Sequence, residues 1–204
     1  MFNPLPRFAR LFRYRSASRA ERFGSSLVSV DSGGKEEGVT PEKLFHELLR
    51  LGLNWKVPEC EFDSESGVVR LRIEETEHLW KVERSPDEGA EVACYDHTEE
   101  MVWRHLNVFE HKCEIWCRLP RATCSKTQKV YRVCPPWEGL SKHFTKGFEA
   151  MALLLMREMP VAVVARHVKE TDTRLWRMLK AHVEAAYPLA DWSNVICVGC
   201  DEMS

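Results

Sequence analysis

The hydrophobic pattern of this chain changes period once, near residue 144. Before that point apolar residues alternate. Val69, Leu71 and Ile73 are interleaved with Arg70 and Arg72, as in a strand with one buried face. After it, Phe144, Phe148, Met151, Ala152 and Leu155 recur at three- and four-residue spacing, as on one face of a helix. A chain that makes this switch is neither all-β nor all-α. It is expected to be α+β, with a small, mostly antiparallel sheet followed by packed helices.

The boundaries follow from local signals. Residues 1–39 end in Ser32-Gly33-Gly34-Lys35-Glu36-Glu37-Gly38 and read as a disordered basic tail and linker. An Arg- and Ser-rich start also suits an organelle transit peptide, an arm touching phosphates, or upstream DNA translated by chance. Thr40-Pro41 opens a helix, with Thr as N-cap, Pro at the first position and Leu44, Phe45, Leu48 and Leu49 on its apolar face; Gly52 ends it. Strands are expected over Val69–Ile73, Leu79–Val82, Cys113–Leu119 and Val130–Val133, so that 40–135 forms a helix plus a β unit. Residues 140–188 form the helical domain. Residues 195–204 read as one more strand, ending at the acid Asp201.

Within 140–188 the first helix is apolar nearly all round, through Leu153, Leu154 and Met156, and is expected to be central; Pro160 breaks it. Val161, Val164, Ala165 and Val168 give a short second helix. Lys169–Asp172 is a turn capped by Thr171 or Asp172, and Leu175, Met178, Leu179, Val183 and Ala186 face inward on a third helix. Short helix, tight turn and longer basic helix is the helix-turn-helix pattern. It leaves Thr173, Arg174, Arg177 and Lys180 on the outer side, where Arg suits guanine edges or phosphates and Lys suits phosphates. A helical hairpin with a solvated basic face has the same periodicity. Trp176, beside the basic stripe, is expected to pack against a neighbour.

Charge and cysteine usage narrow the function classes. The net charge of −2 hides an uneven layout, since 140–187 carries eight Lys or Arg against five acids. The longest apolar run, Ala150–Met156, is too short to span a bilayer, so no membrane role is expected. Eight cysteines in 204 residues, with no secretory signal, imply a reducing compartment. Cys113 and Cys117 alternate with polar residues and share a face with Ile115 and Leu119, as core thiols do. Cys197 and Cys200 lie three apart on a strand-like run and so face opposite ways. Cys94-x-x-His97 with Cys124 is a partial zinc set. It needs His105, His111 or Cys134 as fourth ligand, and the metal-free reading is preferred.

Several segments together resemble the ISL-three type of bacterial insertion-sequence transposases. They are Trp103-Arg104-His105-Leu106, Arg118 to Cys124, Pro136-Trp137, Phe144-Thr145, Phe148-Glu149-Ala150, Arg157 to Arg166, Asp172 to Arg177, and Val198 to Ser204. The resemblance spans roughly residues 43–204. It implies a zinc-ribbon-like unit, a DNA-binding helix-turn-helix and an RNase H-like catalytic domain using an Asp-Asp-Glu triad with Mg²⁺. It places Asp201 on the first acid of that triad. The other two acids and most of the catalytic domain are missing, which makes Asp201 a relict and the chain a non-catalytic fragment. The resemblance also sets Ser85-Pro86-Asp87-Glu88 on the ribbon's first C-x-x-C, and Cys124 and Thr127 on its second. The ribbon is therefore degenerate. Zinc is doubtful, Mg²⁺ belongs only to the complete enzyme, and no cofactor is expected here. DNA is the expected partner, with a possible homodimer through Ala150–Met156, in the bacterial cytoplasm at the nucleoid. A truncated-transposase regulator of the element's terminal repeats is the alternative, and a dimerising interaction module a further one.

Overall fold

A computed structural model describes residues 39–87, 89–191 and 193 of the chain. The expectations for the tail before residue 39, for Cys197 and Cys200, and for the strand ending at Asp201 lie outside the described residues. Helix α1 (Pro41–Leu48) starts as its sequence requires, with Thr40 Oγ1 accepting from Lys43 N at 3.4 Å. Its buried face is narrower than expected: Phe45 and Leu49 reach the core, while Leu44 and Leu48 are exposed. The chain then turns through His46, whose Nε2–H donates to Gly52 O at 2.9 Å and Trp55 O at 3.1 Å.

Strands β1 (Trp55–Asp63) and β2 (Val68–Glu75) form a hairpin. Asp63 closes its turn by accepting from Glu65 N and Ser66 N, and Gly67 supplies the positive φ of 64°. Helix α2 (Glu77–Val82) follows, where a strand was expected from Leu79 to Val82. A four-residue apolar run carries no period of its own. Here Leu79 points into the core while Val82 is exposed. Long strands β3 (Val92–Val108) and β4 (His111–Cys124) form a second hairpin, and β5 (Val130–Arg132) returns to pair with β4.

The strand order is β1-β2-β4-β3, with β5 also on β4. Three pairings are antiparallel, but β2 and β4 run parallel, so the sheet is mixed rather than antiparallel. The long connection through α2 and β3 permits this, because parallel neighbours cannot be joined by a tight hairpin. On β4, Cys113, Ile115, Cys117 and Leu119 all face the core, as their alternation predicts. Burial pushes the Cys113 and Cys117 thiols up to about 12. Trp137 closes the core, its ring packing edge-on to Trp55 at 5.0 Å and Trp103 at 6.0 Å.

Helices α3 (Lys146–Met156), α4 (Val161–Val168) and α5 (Asp172–Ala186) surround a second apolar cluster of Phe144, Phe148, Ala152, Val164, Val168, Leu175 and Met178. Phe144 precedes α3 instead of starting it, and pairs with Arg104 of β3 in a short bridge. Thr145 is the cap, accepting from Phe148 N at 3.3 Å. Leu154 is 58% exposed, so α3 is not buried all round, and Val183 points outward at 55%. Sheet and helices both belong to a compact unit spanning Val39–Ala185, and a 3-10 turn, Tyr187–Leu189, follows it in sequence.

Candidate nucleic-acid interface

The connection between α4 and α5 is set by one residue in the left-handed region. Lys169 has φ 57°, and Glu170 N donates back to Ala165 O at 2.9 Å, which closes the end of α4. Thr171 Oγ1 accepts from Arg174 N at 3.4 Å, and Asp172 Oδ1 accepts from Thr173 N at 2.7 Å. Two of the four opening donors are thus met by the two residues that the sequence offered as caps.

On α5, Leu175 and Met178 are buried, and this fixes the outward face. Thr173, Arg177 and Lys180 sit there together, all exposed, at spacings that make them neighbours on a helix. The Lys180 ammonium lies 3.8 Å from Glu184, with both side chains largely in water. Arg174 is placed differently. Its guanidinium donates to Glu170 at 2.7 Å and lies over the Phe144 ring at 4.7 Å. It is half-buried and joins α5 to its own domain. Trp176, expected to pack, is 55% exposed and shares the outward face, three residues after Thr173 and four before Lys180.

Behind this face is a buried charge cluster that periodicity does not announce. Arg104, on β3, is 3% exposed. It donates to Val168 O at 2.8 Å, to Cys113 O at 3.2 Å, to His105 O and to Asn107 Oδ1, and its Nε lies 3.4 Å from Glu170. Burial pulls its pKa down, while Glu170 opposes that shift. Glu170 is therefore shared between Arg104 of the sheet and Arg174 of α5. A second anchor is Glu149 on α3, which accepts from Leu140 N, Ser141 N and His182 Nε2 at 2.8, 2.7 and 3.0 Å. Burial opposes its ionisation, but the bonds from His182, Ser141 and Leu140 together hold its carboxyl below the usual range. Gly139 makes room for this carboxylate, since a Cβ there would lie 2.3 Å from Glu149 Cδ. Arg104 and Glu149 are polar residues set among apolar neighbours, and both fall in the segments quoted above for the family resemblance, but neither signal gives their partners.

The candidate zinc positions fall into two groups. His97 bonds Glu75 at 2.6 Å, His105 bonds Thr145, His111 packs on Phe62, and Cys134 lies near Glu138, so the C-x-x-H and its possible fourth ligands are dispersed. By contrast, Ser85, Cys124 and Thr127 come together, in two turns of matching form. Gly89 N donates to Ser85 O at 2.8 Å, as Gln128 N does to Cys124 O at 3.0 Å, and Gly89 and Gln128 both have positive φ. Ser85 N donates to Ala90 O, as Cys124 N does to Lys129 O. Hydrogen bonds from Ser85, then Thr127, bring the Cys124 thiol down to about 7. One thiol and two alcohols do not fit Zn²⁺, which takes four thiolate or imidazole ligands in structural sites. Among the described residues, no group of three or more His, Cys, Asp or Glu is placed to hold a metal.

Two packed helices at a tight turn, the second with an exposed basic face, define a helix-turn-helix unit. Residues 141–183, which take in α3, α4 and most of α5, match the family model described as the helix-turn-helix domain of transposase family ISL3. The match supports an ISL3-type transposase helix-turn-helix region over this stretch. No curated protein and no solved structure matches the chain significantly. Among the described residues no helix is long and apolar enough to cross a membrane.

Proposed function

We propose that this chain binds duplex DNA as the recognition part of a transposase-derived protein, without itself cutting or joining strands. The observation that carries this reading is the outward face of α5, where Thr173, Arg177 and Lys180 are exposed together on a helix locked by Leu175 and Met178. In such units the second helix enters the major groove with its N-terminal residues toward the bases. Thr173 and Arg177 then face base edges, while Lys180 meets a phosphate. Arg174 holds α5 on Glu170 and Phe144 rather than reaching for DNA.

The sheet belongs to the same reading. The facing turns at Ser85 and Cys124 suit a ribbon that has exchanged its metal for hydrogen bonds around one thiol. Occupation of an element's terminal repeats, which would make the chain a regulator, uses the same face. The test is fluorescence anisotropy on duplex DNA over a range of salt. Arg177→Ala/Lys180→Ala is expected to weaken binding and flatten the log–log salt slope by about one, from the phosphate that Lys180 neutralises, the loss of Arg177 acting on affinity. Thermal unfolding should be unchanged, since both residues are exposed. Unaltered affinity and slope in the double variant would remove α5 as the DNA-binding surface.

A further inference from the structure

The tip of the β3–β4 hairpin carries the most exposed large apolar side chain described in this protein. Phe109 is 93% exposed. It also has φ 54°, whereas Glu110, the other residue of this two-residue turn, does not have positive φ. That first position is one that glycine normally fills, because a Cβ there is strained. Neither burial nor backbone preference accounts for phenylalanine at this point. An aromatic ring kept in water on a strained turn is a candidate binding residue.

The turn that carries this ring is tied to the helix-turn-helix. Lys169, the left-handed residue just before α5, donates through Nζ to Glu110 O at 2.6 Å. Two residues before the tip, Asn107 is bonded by the same Arg104 guanidinium that bonds Val168 O, at the end of α4, and pairs with Glu170. A buried ion pair with several hydrogen bonds to backbone carbonyls is a rigid joint. The hairpin tip is thereby fixed beside the N-terminal end of α5, the end that enters DNA in helix-turn-helix units. His111 and Lys112 follow the turn in sequence, Lys169 reaches it at Glu110 O, and Glu110 is the single acid in it. An exposed ring on a turn with basic residues close in sequence and at its base suits a duplex better than an apolar protein groove, because cations meet phosphates while the ring meets bases.

We propose that the β3–β4 hairpin is a second DNA-binding element, with Phe109 entering the groove next to the one read by α5 and opening a base step there. Apolar side chains used in this way unstack the step and bend the duplex. The proposal rests on the reading that the chain binds duplex DNA, and it adds an interaction that the helix-turn-helix does not supply.

The test uses the full chain and a mixed-sequence duplex about 30 base pairs long, roughly three helical turns, labelled at both ends. Anisotropy reads affinity and energy transfer reads bending. Phe109→Gly, with Phe109→Asn as a second variant, relieves the positive φ, so its melting temperature should equal or exceed that of the unaltered chain. Binding should weaken about tenfold, within the range of one base–aromatic stack. The rise in energy transfer on binding should disappear, and the salt slope should be unchanged. Affinity and bending equal to the unaltered chain overturn the proposal. So does a Phe109→Gly variant that binds and bends normally but no longer self-associates in sedimentation, which would make the tip a protein-binding element. Arg177→Ala/Lys180→Ala, measured alongside, separates the two readings. If only that pair weakens binding, the helix stands and the hairpin falls; if the unaltered chain binds no duplex, both fall.

Discussion

His105 shows how much a single residue's role depends on its neighbours. Burial, and then the adjacent Arg104, bring its pKa from 6.5 down to about 4, and the Thr145 hydroxyl lies 2.8 Å from its Nδ1. The ring is therefore neutral in the folded chain and must gain its proton against burial. The unfolded chain binds that proton more readily between pH 6.5 and 4. Stability should be full above pH 6.5 and fall as pH drops through this window, by on the order of 3 kcal/mol from this group. Urea unfolding of the unaltered chain and of His105→Gln at several pH values checks this; equal slopes in the two would refute it. Other residue roles were legible directly. Alternation alone put Cys113 and Cys117 in the core. Arg174, Arg177 and Lys180 look alike in sequence, yet only the last two point away from the helical core, because Glu170 and Phe144 lie beside the first. Val183 fits a buried face by period and Trp176 was expected to pack against a neighbour, but both stand in water, since three helices around so small a cluster cover a narrow stripe.

At the scale of elements, the strong patterns were readable and the weak ones were not. Thr40-Pro41 began α1, Pro160 separated α3 from α4, and Lys169–Asp172 formed the turn, because caps and proline act locally. The run Leu79–Val82 was too short to show a period and became helical. Phe144 matched the helix spacing but joined a bridge to Arg104, a partner 40 residues away that no local pattern reveals. The two turns at Ser85 and Cys124 are the clearest element-scale case. Their spacing hints at a ribbon, but only the folded chain sets one turn against the other. If they are metal turns without their original ligands, restoring the thiols should restore the site. Ser85→Cys/Glu88→Cys/Thr127→Cys is expected to bind one Zn²⁺ and to give the strong visible bands of tetrahedral thiolate with Co²⁺; Glu88 enters by spacing alone, being outside the described residues. A triple variant that takes up no metal would reject the ribbon reading.

At the scale of the whole unit, Arg104 is the residue on which sheet and helices meet. It touches the hairpin through Asn107 and Cys113 O, and the helix-turn-helix through Val168 O and Glu170. Truncating one partner of such a buried pair leaves the other charge uncompensated, at a cost of about 3–5 kcal/mol. Arg104→Met should lower stability by that order and separate two transitions, with tryptophan fluorescence from the sheet and helical circular dichroism no longer coinciding. In the unaltered chain the two signals should coincide, as expected for one cooperative unit. Distinct transitions before any substitution would show that the joint does not couple them.

The sequence by itself determined the order of strands then helices, the start and stop of most elements, the buried face of β4 and the helix-turn-helix with its basic stripe. Each rests on interactions a few residues apart, which periodicity and capping chemistry report. Only the tertiary structure decided that β2 and β4 run parallel, that Arg174 pairs with Glu170, that Arg104 ties the sheet to α4 and α5, and that the turn carrying Phe109 is bonded to Lys169 at the end of α4. These depend on distant segments meeting in space, where the burial of one charge or ring is set by what the rest of the chain brings against it.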